Sequence, residues 1–79
     1  MKDITNDLTD DIYEIVSNNI RKIRKNKGWT QEKLAIKSSL SHEYIRRIES
    51  KKGKKNISLN TVQIIAKSLD IPFKELFNK

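Results

Sequence analysis

Residues 41–50, SHEYIRRIES, carry His42, Glu43, Arg46 and Arg47 within fewer than two turns of any helix they form. At 100° per residue, with His42 at zero, Arg46 falls at about 40°, Ser50 at about 80°, Glu43 at about 100° and Arg47 at about 140°. Tyr44, Ile48, Ser41 and Ile45 fall on the other side, at about 200° to 300°. Such a helix buries one edge and presents a compact face of donors and acceptors. The chemistry of that face is non-covalent: a guanidinium fork can grip two acceptors, and a carboxylate can accept from an amine. A helix that enters a major groove to touch base edges needs this arrangement. Catalysis lacks support, because Ser41 and His42 are adjacent on one helix with no oriented acid, cleft glycines or metal cluster. With no cysteine and one histidine, neither a disulfide framework nor a thiolate or imidazole-rich metal site is available, so no cofactor is expected.

The charge of +7 is unevenly spread. Residues 1–20 set Lys2 against Asp3, Asp7, Asp10, Asp11 and Glu14, a net of −4. Residues 21–55 hold thirteen lysines and arginines against Glu32, Glu43 and Glu49, a net of +10. A basic centre of this density is the footprint of a polyanion-binding surface.

The elements that must position these side chains follow from periodicity and caps. Ile12, Val16, Ile20 and Ile23 make an amphipathic stripe, with Thr9 or Asp10 as N-cap and Gly28 at the end. Thr30 caps a second helix that buries Leu34 and Ala35. After Ser38-Ser39-Leu40, Ser41 caps a third, with Ile45 and Ile48 inside. The break between them lets one helix brace the other at a steep angle. Ser58 caps a fourth helix with Leu59, Val62, Ile65, Ala66 and Leu69 on one face, and Pro72 opens a last short helix through Leu76 and Phe77. The expected fold is all-α, a compact five-helix bundle: residues 1–9 are a flexible acidic lead-in and 10–79 one domain. At 79 residues its single core is only just sufficient. No apolar run approaches the roughly 18 residues of a membrane span, and residues 1–11 lack the pattern of a secretory signal. A cytoplasmic location is expected.

GWTQEKLA (28–35) followed by LSHEYIRRIE (40–49) resembles the phage-repressor/Cro (XRE) helix-turn-helix family, whose pattern is Gly-x-Thr-Gln-x-x-Leu-Ala, then Ser-x-x-x-Ile-x-x-Ile-Glu. SLNTVQIIAKSLDIPFKELF (58–77) is similar to that family's last two helices. The resemblance spans about residues 12–77 and implies a sequence-specific transcriptional regulator of the helix-turn-helix type, a small repressor or controller. By it, Gln31 matches a phosphate contact, and His42, Glu43 and Arg47 match base-reading positions flanked by Ser41 and Arg46. Arg47 suits bidentate contact with guanine, Glu43 either accepts from cytosine or orients a neighbouring arginine, and Arg46 fits a base or a phosphate. Arg24 and Glu49 match a structural salt bridge between the first and third helices. Lys51, Lys52, Lys54 and Lys55 match a loop on the phosphate backbone, which gives affinity without sequence information. Ser39 departs from the family, which usually has glycine there, and the loop after Glu49 is about two residues longer than usual.

One such motif reads few base pairs, so the resemblance implies a homodimer on a palindromic double-stranded operator. Ile64, Phe73 and Phe77 are the expected dimer contact, since they offer apolar surface beyond the main stripes. No membrane and no small-molecule effector is expected as a partner. The alternative is an antitoxin or other protein-interaction module with secondary DNA binding, in which the acidic N-terminal residues are the partner segment.

Overall fold

Helix α1 (Ile12–Asn26) buries Val16 and Ile20, while Ile23 packs half-buried against them. These positions repeat every three or four residues, so they share one side of the rod. The computed structural model of the chain describes residues 12–50 and 57–79. The expected lead-in, the Thr9 or Asp10 cap and Lys51, Lys52, Lys54 and Lys55 lie outside the described residues. Helix α2 (Gln31–Ser38) starts at Thr30, whose hydroxyl accepts from the Lys33 N–H at 3.0 Å. Helices α3 (His42–Glu49) and α4 (Leu59–Leu69) start in the same way at Ser41 and Ser58. Each cap supplies an acceptor to a first-turn N–H that has no partner within its helix.

Three helices end by one device. Gly28 (φ 76°), Ser39 (φ 62°) and Asp70 (φ 60°) are left-handed. The following residues, Trp29, Leu40 and Ile71, donate their N–H groups back to Arg24, Ala35 and Ala66, each at 3.1 Å. This is the Schellman motif, in which the last carbonyls are satisfied and the next side chain folds onto the core. Trp29, Leu40 and Ile71 all pack against it.

The core joins Ile20, Leu34, Ile45, Ile65, Leu69 and Leu76, one or two from each element. The described elements are four α-helices and a closing 3-10 helix (Phe73–Phe77), with no strand among them. The expected fifth helix is therefore this 3-10 segment: Pro72 precedes it and Leu76 is its buried anchor. A second difference concerns Leu59, expected on the buried face of α4 but 67% exposed. It lies in the helix's first turn, at the edge of the Val62–Ile65–Leu69 stripe.

Candidate nucleic-acid interface

Helices α2 and α3 meet across Ser39 and Leu40. The left-handed Ser39 reverses the chain, Leu40 tucks inward, and the extended Ser41 (φ −75°, ψ 151°) starts α3 at once. Helix α3 then divides by face. Ile45, Ile48 and Glu49 are buried, whereas His42, Glu43, Arg46 and Arg47 are exposed. Tyr44 packs half-buried, its hydroxyl 3.5 Å from Thr61 Oγ1 on α4. Glu43, Arg46, Arg47 and Ser50 line one open hollow of about 330 Å³. The arginine that Glu43 orients is Arg46, whose Nη2 lies 3.1 and 3.3 Å from the two carboxylate oxygens. Both side chains are largely exposed, so the pair adds little stability and readily exchanges its partners. The Ser41 hydroxyl is first a cap, accepting from the Tyr44 N–H at 3.0 Å.

Glu49 ties the inner end of α3 to both preceding helices. Arg24 donates from Nε to Oε2 at 2.7 Å and from Nη2 to Oε1 at 2.8 Å. Its remaining Nη1 donates to the Trp29 carbonyl at 2.7 Å. Gln31 donates its amide to Glu49 Oε1 at 3.1 Å. Of Gln31, expected at a phosphate, one amide N–H is thus held inward from the first turn of α2.

Two further side chains of α1 hold α3, and sequence reasoning missed both. The Ser17 hydroxyl donates to the Ile48 carbonyl, and Arg21 Nη1 donates to the Glu49 carbonyl at 2.6 Å. They satisfy carbonyls that a helix C-terminus leaves without intrahelical partners. A signal existed: Ser17, Arg21 and Arg24 repeat at i, i+4, i+7, a polar stripe beside Val16, Ile20 and Ile23. The orientation of α3 is thus set by packing on one edge and by three side chains of α1 at its end.

The residues expected at a dimer contact stand apart from this face. Phe73 is 39% exposed, Phe77 is half-buried, and their rings meet edge to face at 5.1 Å. Ile64 is half-buried on α4. Among the described residues no group of three His, Cys, Asp or Glu side chains could hold a metal ion, and no helix is long and apolar enough to cross a membrane.

Two short helices joined by a tight turn, the second with an apolar inner edge and a polar outer face, define a helix-turn-helix. The chain belongs to the helix-turn-helix family: the family model HTH_3 matches residues 20–76. A hypothetical transcription factor of Neisseria meningitidis is 33% identical over 84% of this chain, which spans 60% of that relative's length. The control protein C.SmaI of Serratia marcescens is 36% identical over 87% of the chain and 80% of its own length. Among solved structures, a Neisseria transcription factor superposes with a TM-score of 0.79 at 32% identity, covering 86% of this chain and 76% of its own. The restriction-modification controller protein C.AhdI of Aeromonas hydrophila gives 0.74 at 35% identity, covering 82% and 96%. The nucleoprotein complex of C.Esp1396I gives 0.70 at 36% identity, covering 86% and 96%.

Proposed function

We propose that this protein is a DNA-binding transcriptional regulator that lays α3 in the major groove of a specific double-stranded operator. Membership of the helix-turn-helix family and similarity to transcription factors and restriction-modification controllers support the regulator. The observation that carries the reading is the division of α3: Ile45 and Ile48 are buried while His42, Glu43, Arg46 and Arg47 point outward along the same two turns. In this reading Arg47 contacts guanine by its fork, Glu43 accepts from cytosine once Arg46 turns to a base or phosphate, and Ser41 and His42 touch the neighbouring edges. Gln31 and the lysines of residues 51–55 grip phosphates and set register rather than sequence.

The protein acts as a homodimer on a palindrome, with Phe73, Phe77 and Ile64 at the contact. The exposure of Phe73 supports this, because a small tail gains little by leaving an aromatic ring in water. Selection of bound duplexes from a random pool tests the function. The expected product is a pair of inverted half-sites about one helical turn apart. Recovery of no sequence above the random background removes the specific reading. A monomer at tens of micromolar in sedimentation, with and without the selected duplex, removes the dimer.

A further inference from the structure

We infer that Lys27 and Lys33, gathered on the indole of Trp29, form a further binding site for the phosphodiester backbone, distinct from Gln31 and from the lysines of residues 51–55. The inference rests on the DNA-binding reading above and deepens it. Lys27 Nζ lies 5.2 Å and Lys33 Nζ 5.4 Å from the centroid of the Trp29 ring. Lys27 comes from the turn that ends α1 and Lys33 from the first turn of α2, so two segments bring their charges to one aromatic ring.

The ring is a fixed platform. Its side chain packs half-buried against the core, and both backbone polar groups are engaged by Arg24: the N–H donates to the Arg24 carbonyl at 3.1 Å, and the carbonyl accepts from Nη1 at 2.7 Å. The same arginine holds Glu49, so the ring is tied to the inner end of α3. Lysine in solution is a mobile point charge on a flexible stem, and ordering it opposes binding. An ammonium resting over a ring face is already partly ordered and keeps N–H donors directed away from the ring.

The helix dipole opposes this placement. Lys33 stands in the first turn of α2, where the helix dipole is positive and a cation is unfavourable, and Lys27 adds a second like charge. Glu32, in the same turn, is the residue that suits that end and offsets part of the excess. An anion that meets both ammoniums offsets this excess of positive charge. A phosphate of the duplex is the anion at hand, because Gln31, a phosphate contact in the DNA-binding reading, begins the same helix turn.

Affinity for a duplex of arbitrary sequence, about 20 base pairs long, is measured from 50 to 200 mM salt for wild type, Lys27→Gln/Lys33→Gln and the charge-matched Lys22→Gln/Lys67→Gln. Two lost phosphate contacts should lower the slope of log affinity against log salt by about 2 and weaken binding roughly ten- to thirty-fold near 0.15 M, with the charge-matched pair close to wild type. Trp29 is the sole tryptophan, so its emission should change on saturation with duplex in wild type, and less in Lys27→Gln/Lys33→Gln saturated at low salt. Equal losses in the two double variants, an unchanged slope in the first, or wild-type emission indifferent to duplex overturns the site while leaving DNA binding intact. A wild type that binds no duplex overturns the function proposed above as well.

Discussion

Arg24 and Glu49 face each other through two hydrogen bonds of 2.7 and 2.8 Å, and both side chains are almost completely removed from solvent. The pair joins the last turn of α1 to the last residue of α3. Removing one partner leaves a buried charge unmatched, whereas replacing both removes the desolvation cost together with the attraction. Glu49→Ala should therefore cost about 3–5 kcal/mol of unfolding free energy, read from the urea midpoint. Arg24→Met/Glu49→Leu should recover most of that loss. A double variant no more stable than Glu49→Ala would show that the pair holds α3 in a way packing cannot replace.

Ser39 adopts the left-handed conformation that the chain's turn demands, with a side chain that disfavours it. Relief of about 1–2 kcal/mol in the folded state exceeds the extra chain entropy a glycine brings. Ser39→Gly should raise stability by about 0.5–1 kcal/mol, a few degrees in Tm for a domain of this size. Gly28→Ala is the counterpart. A Cβ there would meet nothing within 4 Å, so its expected loss of about 1–2 kcal/mol comes from φ 76° alone. A neutral Gly28→Ala would show that the turn relaxes to another conformation.

Ser17→Ala leaves the Ile48 carbonyl without its donor at a site closed to water. An unsatisfied buried acceptor costs about 1–3 kcal/mol. The removed hydroxyl is small, so chemical denaturation should show that loss with an unchanged m-value. A change below a few tenths of a kcal/mol would mean that the carbonyl finds another donor.

Arg47 and Lys54 should separate reading from gripping, although Lys54 lies outside the described residues. Arg47→Ala should relax preference at one base pair by about 1–3 kcal/mol. Lys54→Ala should weaken all sequences alike and flatten the salt slope by about 1. Profiles of selected sites for both variants make the comparison, and equal, uniform losses would remove Arg47 from the base-reading role proposed for it.

Leu76 and Phe73 belong to the same 3-10 helix and should behave oppositely. Leu76 is fully buried, so Leu76→Ala should cost about 2–5 kcal/mol in the folded chain. Phe73→Ala should leave thermal unfolding of dilute protein within about 1 kcal/mol and weaken association in sedimentation. An unchanged association constant would remove Phe73 from the proposed dimer contact.

Local rules made much of this molecule legible in its residues. Thr30, Ser41 and Ser58 cap helices because their hydroxyls reach an N–H three residues on, and Gly28 ends α1 because its φ is positive. Both depend on geometry within a few residues of the chain. The two faces of α3 were legible for the same reason, since a period of 100° separates Ile45 and Ile48 from Glu43 and Arg47 without knowledge of any neighbour. Asp70 followed the same rule as Gly28 and could have been read beside Ile71 and Pro72.

Tertiary structure decided what depends on distant partners. Leu59 matched the apolar period of α4, yet it is exposed at that helix's first turn. The acceptor for Ser17 lies 31 residues away and that for Gln31 lies 18 away, so no local pattern could say that both side chains converge on the end of α3. The residues determined which helices form and which edge of each is apolar. Packing across helices decided how α3 is held and which polar groups hold it, because a buried donor takes its acceptor from whichever element the core brings beside it.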